Sequence, residues 1–280
     1  MPVTPTYPGV YIEELESAVR PITGVATSIT AFLGFAPKGP VDTPTTVQSF
    51  TEYGRVFGGL HATSTMSYAV QHFFANGGQN AVIVRCTTKA PAGSAAGKSS
   101  GTESGPPPTS AITLEAASEG VWGDELRFRV DHATADPTST TQFNITIKNR
   151  VTGELEVLRN LLPGATLPAA IAAQSQLVRV KGAAPTTRPK AHAPTTVAKP
   201  DPFDRSEPTR FTALTTGSDG TIASAAFVPS TPNGTGINAL ERADLFNLLV
   251  IPPVVHAWET GPERVLPGAT KGSAAAFCRA

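Results

Sequence analysis

The sequence predicts an α/β fold: a mostly parallel sheet covered by helices, with an inserted small β-rich, sandwich-like domain and an extended N-terminal arm. Three observations lead there. Residues 28–35 and 81–84 are apolar runs of strand length, and between them Met66, Ala69, Val70, Phe73 and Phe74 recur at the spacing of one helix face. Strand, helix, strand is a crossover unit, so its two strands should lie parallel under a cover of helices. From Ala111 onward apolar and polar residues alternate, which marks half-buried strands.

Each element has its own local reason. Residues 1–24 hold Pro2, Pro5, Pro8 and Pro21 around Val10, Tyr11 and Ile12, so the segment should be extended and unable to bury itself. It is either a disordered terminus or an arm that docks on a neighbour's sheet edge, where its backbone amides find partners. After the first strand, Ala36-Pro37-Lys38-Gly39-Pro40 is turn chemistry. Ser49 and Glu52 form a possible capping box. Thr63 or Ser64 caps the helix that Gly77-Gly78 ends. Residues 91–110 are rich in Gly, Ser, Ala and Pro and read as a linker.

In the inserted domain, residues 111–182, strands are expected at 111–114, 126–130, 143–147 and 155–158, with a hairpin turn at Val151-Thr152-Gly153. A short helix with Pro168 in its first turn and a closing strand at 177–180 complete it. Residues 183–212 carry many prolines and read as a second linker. Buried-strand pattern then returns at 244–252, after a Gly-Ser-Asp-Gly turn at 217–220 and a short helix at 239–242, and a last helix is expected over 270–280. Residues 25–90 and 213–280 are therefore expected to form one discontinuous core domain, incomplete at its C-terminus.

Composition narrows the function. Lys plus Arg and Asp plus Glu are 22 each, so the net charge is zero, and this argues against a dominant nucleic-acid or membrane-surface role. Charged residues are only 16% of the chain, and few charges at zero net charge favour self-association. The two cysteines, Cys86 and Cys278, imply no disulfide framework, and Cys86 closes an apolar strand as a buried thiol would. No signal peptide and no run of about 20 apolar residues is visible, so the chain is expected to be made in the cytoplasm and not inserted in a membrane.

Chemistry is sparse. Gly93-Ser94-Ala95-Ala96-Gly97-Lys98-Ser99 comes close to a phosphate-binding loop but has three residues between its glycines where four are needed. His61, His72, His132, His192 and His256 lack metal-ligand spacing. Trp122 reads as a turn-packing aromatic. No catalytic residue, metal site or cofactor is expected.

Several stretches carry a family resemblance in the right order: Pro8-Gly9-Val10-Tyr11-Ile12-Glu13-Glu14, the block 27–40, Phe57-Gly58-Gly59, Phe73-Phe74-Ala75-Asn76-Gly77-Gly78 with Val82-Ile83-Val84-Arg85, and later 120–126, 214–220 and 244–252. Together these resemble contractile tail sheath proteins of phage tails and contractile injection systems. The resemblance implies a non-enzymatic subunit of a helical sheath around an inner tube, whose contraction drives tube ejection. Its implied partners are neighbouring sheath subunits, the inner tube protein, and baseplate and terminator proteins, within a virion tail or injection particle. Val10, Tyr11, Ile12, Glu13 and Glu14 would then form the subunit-interface arm. Sheath proteins continue beyond the length seen here, so a fragment and a shortened relative are both open. A truncated accessory or capping subunit is the alternative; an α/β hydrolase-type enzyme is the remote one.

Overall fold

The computed structural model describes residues 28–87, 96–98, 100–103, 110–220, 224–229 and 234–253. The arm, Cys278 and the helix expected over 270–280 lie outside the described residues, as does most of 93–99.

In chain order the first part holds β1 (Thr30–Gly34), β2 (Thr45–Val47), α1 (Phe50–Phe57), α2 (Thr65–Ala75) and β3 (Ala81–Arg85). The short strands β4 (Ala96–Gly97) and β5 (Ser100–Glu103) follow, then β6 (Ile112–Ala116), β7 (Leu126–Asp131), β8 (Phe143–Asn149), β9 (Leu155–Leu161), α3 (Leu167–Gln174) and β10 (Val178–Val180). The chain continues with β11 (Thr212–Ala213), β12 (Ser218–Asp219), α4 (Ser224–Phe227) and β13 (Leu248–Val250). The fold is thus mixed α/β with several sheets.

The first sheet runs β13-β1-β3-β2; β1 is parallel to both β3 and β13, and β2 is antiparallel to β3. Its two faces follow from strand alternation. Phe32, Ala81 and Ile83 face α1 and α2, packing on Tyr53, Phe57, Met66 and Val70. Ala31, Leu33, Val82 and Val84 face the other way, against Phe227, Ile237 and Leu240. The helix starts are held by side chains: Ser49 Oγ accepts the Glu52 N–H at 3.1 Å, and Ser64 Oγ accepts the Ser67 N–H at 3.2 Å. The Glu52 carboxylate returns its bond to the Gln48 N–H at 2.9 Å, one residue before the cap.

A second core is built from two antiparallel sheets, β10-β6-β5 and β11-β7-β8-β9. Alternate residues of both meet in one apolar cluster, among them Leu114, Phe128, Ile145 and Leu158, closed by Leu167 and Ile171 of α3. The β8–β9 turn forms at residues 150–153, where Asn149 Oδ1 accepts the N–H groups of Val151 at 2.9 Å and Thr152 at 3.1 Å.

Five expectations differ from what forms. Ser100–Glu103, within the first expected linker, is a strand: small residues let it lie against β6. Residues 183–210 are irregular yet packed, with Phe203, His192 and Arg210 buried. Their order comes from specific bonds, such as Arg210 Nη1 to the Lys199 carbonyl at 2.9 Å, which composition does not reveal. The strand expected over 244–252 is only Leu248–Val250; among the described residues it pairs on one side, with β1, and Leu248 is 56% exposed. Residues 239–242 belong to a 3₁₀ turn, Gly236–Arg242. In the expected 217–220 turn, Thr216 and Gly220 take the left-handed conformation while Asp219 lies in β12.

Gly34 is required by close approach: a Cβ there would sit 2.7 Å from Met66 Cβ. Gly34→Ala is expected to destabilise the protein by about 1–3 kcal/mol through overpacking, read as a lower urea midpoint with unchanged slope.

Candidate functional site

The residue that organises the junction of the two cores is Arg85. It ends β3, and alternation sends its side chain to the same face as Ala81 and Ile83, into the interior, where it is fully buried. Its donors reach four backbone carbonyls: Nε to Ala36 at 2.7 Å, Nη1 to Gly39 at 2.8 Å, and Nη2 to Pro37 at 3.3 Å and Glu119 at 2.8 Å. The first three belong to the loop after β1; the fourth belongs to the β-rich unit. Burial pulls the guanidinium down to about 10, opposed by the charges of Glu119 and Asp219, so it stays protonated at neutral pH.

Neighbouring bonds tighten the same contact. Ser118 Oγ accepts the Gly39 N–H at 3.0 Å. Gly120 adopts a φ of 131°, and a Cβ on it would meet the Pro37 carbonyl oxygen at 2.6 Å. Asp219 accepts the Val121 N–H at 2.9 Å, and Asp124 accepts the Gly217 N–H at 2.8 Å. Trp122 packs at this turn, donating Nε1–H to the Glu119 carbonyl at 3.3 Å, with Lys38 Nζ 5.8 Å from its ring centre. On the far side of β3, Asp42 donates its N–H to the Arg85 carbonyl and accepts the Gly236 N–H, each at 2.8 Å, and Arg242 donates to the Asp42 carbonyl. The sequence signal for this centre is a single charged residue at the end of an apolar strand. That signal is easily taken for a strand end.

Beside the junction lies a cleft of about 510 Å³. Lys38 and Arg55 line it from the α/β side, and Ser118, Glu154 and Arg179 from the β-rich side. Burial lowers the Lys38 pKa, and Glu154 and Glu156 act in the opposite sense.

His192 is the other buried polar centre. Its Nδ1 accepts the Val130 N–H at 2.9 Å, so the neutral ring carries its proton on Nε2, which faces Thr212 Oγ1 at 3.0 Å and Glu103 Oε2 at 3.2 Å. Hydroxyl and carboxylate thus share one ring nitrogen while the backbone occupies the other. A nucleophile–base–acid relay needs them on opposite nitrogens, so this arrangement does structural work. His72 is exposed on α2. Cys86 is buried, and burial pushes its thiol well up, away from the reactive thiolate. Among the described residues no group of three or more His, Cys, Asp or Glu is placed to hold a metal ion, and no helix is long and apolar enough to cross a membrane. The expected interface residues Val10, Tyr11, Ile12, Glu13 and Glu14 lie outside the described residues.

No protein-family model matches the chain, and no curated protein does. Among solved structures, the sheath tail protein of Desulfitobacterium hafniense is similar at a TM-score of 0.52 and 15% identity, over 97% of this chain and 48% of that one. The sheath tail protein of Listeria innocua aligns at a TM-score of 0.46 and 12% identity, over 73% of this chain and 37% of that one. The chain therefore spans about half the length, or less, of these proteins. The first likeness shows a common fold.

Arg85→Met should cost about 3–5 kcal/mol, because it leaves buried carbonyls without donors. Arg85→Lys should recover only part of this, since an ammonium cannot reproduce the planar fork; urea unfolding measures both. Burial holds the His192 pKa below its ordinary value, against the pull of Glu103. The unfolded chain thus binds the proton first, so stability is complete above about pH 6.5 and falls as pH drops below it, at up to about 1.4 kcal/mol per pH unit. His192→Gln should remove that share of the slope in urea titrations between pH 7 and 5.

Proposed function

We propose that this chain is a structural subunit, or part of one, of the contractile sheath that surrounds the inner tube of a phage tail or contractile injection system. The observation that carries the reading is the fold shared with a sheath tail protein across 97% of this chain. The family-like stretches of the sequence support it independently of the fold. The role is mechanical and needs no cofactor. Sheath subunits contact one another, the inner tube, and the baseplate and terminator at the ends, and contraction drives the tube outward. A heterologous contact that does not close a ring generates such a helix.

In this reading the parallel part of the first sheet, with its helices, is the core domain, formed by residues 25–90 and 213–280. The β-rich unit is an insertion in it, centred on 111–182. Support comes from β13, which pairs with β1 rather than with any strand of the second core. The N-terminal residues form the arm, with Val10, Tyr11 and Ile12 supplying apolar contacts and backbone donors to a neighbour's sheet edge.

The test is assembly. Purified protein should form striated tubes in the electron microscope. Deleting residues 1–20, or Val10→Pro with Ile12→Pro, should abolish them while leaving the circular dichroism spectrum unchanged, because Pro cannot donate to a strand ladder. Tubes of unchanged stability from the deleted protein would remove the arm from the account.

A further inference from the structure

The larger sheet of the β-rich unit ends in an open edge at β9. The Asn149 N–H donates to the Glu154 carbonyl at 2.9 Å and closes the β8–β9 hairpin. In an antiparallel pair, bonded and non-bonded residues alternate. The register Lys148↔Leu155, Ile147↔Glu156 and Thr146↔Val157 therefore turns the backbone N–H and C=O groups of Leu155 and Val157 away from β8. No strand lies beyond β9 among the described residues. The side chains of the same two residues are 56% and 42% exposed. Edge strands are ordinarily guarded by charge, Pro or a bulge. Glu156 does not guard this one, because its carboxylate is turned to the Ser175 hydroxyl at 2.5 Å and the Gln176 N–H at 2.8 Å. A bulge interrupts the register only between Phe143 and Ile145, where Asn160 on β9 takes a φ of 54°, so the free edge runs from Leu155 to Arg159. The patch continues onto α3, which closes the core with Leu167 and Ile171 and leaves Ala169, Ala172 and Ala173 exposed. Apart from Gln174 this helix is apolar on every side, the pattern of a helix covered on every side.

We propose that β9 pairs antiparallel with β9 of a second copy of this chain, about a twofold axis at Val157, to form a soluble dimer. The strand is self-complementary in that register. Val157 meets its own counterpart and Leu155 meets Arg159 of the second copy, each pair exchanging the N–H and C=O groups that β8 leaves unused. The aliphatic stem of Arg159 covers Leu155 while its guanidinium stays in water. Glu156 comes opposite Leu158. Centring the pair on Glu156 instead would set two carboxylates opposite each other, and like charges there are destabilising. The alanine faces of the two α3 helices carry no long side chain to hold the copies apart. Zero net charge and few charged residues leave little repulsion between them. Such a contact closes on itself and cannot extend a tube. The dimer is therefore a form of the unassembled chain; it goes beyond the sheath reading and does not rest on it.

The experiment follows the full-length protein by sedimentation velocity over a wide range of concentration, after any tubes have been removed by centrifugation. A monomer–dimer equilibrium is expected. Val157→Pro should abolish the dimer and leave the circular dichroism spectrum unchanged, since the N–H it removes is one that β8 does not use. Leu155→Lys should abolish it by setting Lys against Arg159, and Leu155→Lys with Arg159→Glu should restore it. Directly opposed bonded residues lie about 5.5 Å apart between Cα atoms, within disulfide reach. In a Cys278→Ser background, Val157→Cys should thus give a disulfide-linked dimer. Leu155→Cys should not link to itself but should link to a differently tagged Arg159→Cys copy. A protein that stays monomeric, a dimer indifferent to Val157→Pro, a charge swap that restores nothing, or Leu155→Cys linking to itself as readily as Val157→Cys overturns the proposal. Tubes from a Val157→Pro protein that has lost its soluble dimer support both the dimer and the sheath. A dimer with the expected variants but no tubes leaves the dimer standing without the sheath.

Discussion

One buried guanidinium holds this molecule in its shape. Arg85 is a fully buried cation with no carboxylate bonded to it, and burying such a charge is costly unless its donors are used. The loop after β1 turns back so that the Ala36, Pro37 and Gly39 carbonyls point at it, and the β-rich unit contributes Glu119. These bonds satisfy the arginine and define the loop; they also fix the β-rich unit against the α/β core. A hydrophobic contact between the units would tolerate sliding, whereas a planar fork aimed at fixed carbonyls does not. Asp42 and Arg242 extend the same logic to the 3₁₀ turn on the other side of β3.

This rigidity bears on the sheath role proposed above, in which a subunit passes force through an assembly. Two cores joined only by composition-flexible segments would absorb load by swinging. Here the crossings carry their own order. β4 pairs with β12, β5 joins the sheet of β6, and His192 links Val130, Thr212 and Glu103. The cleft opens along the same seam and is lined from both cores.

The parts of the fold that were legible in the sequence are those where a single rule decides. Apolar runs gave β1 and β3, the spacing of Met66, Val70 and Phe73 gave α2, and alternation gave β6 to β9. Caps expected at Ser49 and at Thr63 or Ser64 marked the helix starts, and the structure uses Ser49 and Ser64. What was not legible depends on contacts distant in sequence. Ser100-Gly101-Thr102-Glu103 has linker composition and becomes a strand only because β6 is beside it. The Pro-rich residues 183–210 carry almost no apolar pattern, so Phe203 and His192 give no hint that they are buried. The junction was missed for the same reason: Arg85 looks like the polar end of a strand until the loop of residues 36–39 is folded back over it. The arm residues Val10 to Glu14 lie outside the described residues.

The central claim is that the α/β core and the β-rich unit behave as one body through this junction. Native-state hydrogen exchange tests it most directly, since amide protection reports the free energy of the cheapest opening that exposes each residue. The backbone amides of Ile83 in β3 and Ile145 in β8 should show the same opening free energy, falling in parallel as urea is added. An Ile145 amide that exchanges through a distinctly cheaper opening with its own urea dependence, while Ile83 remains protected, would show two independent units and contradict the account.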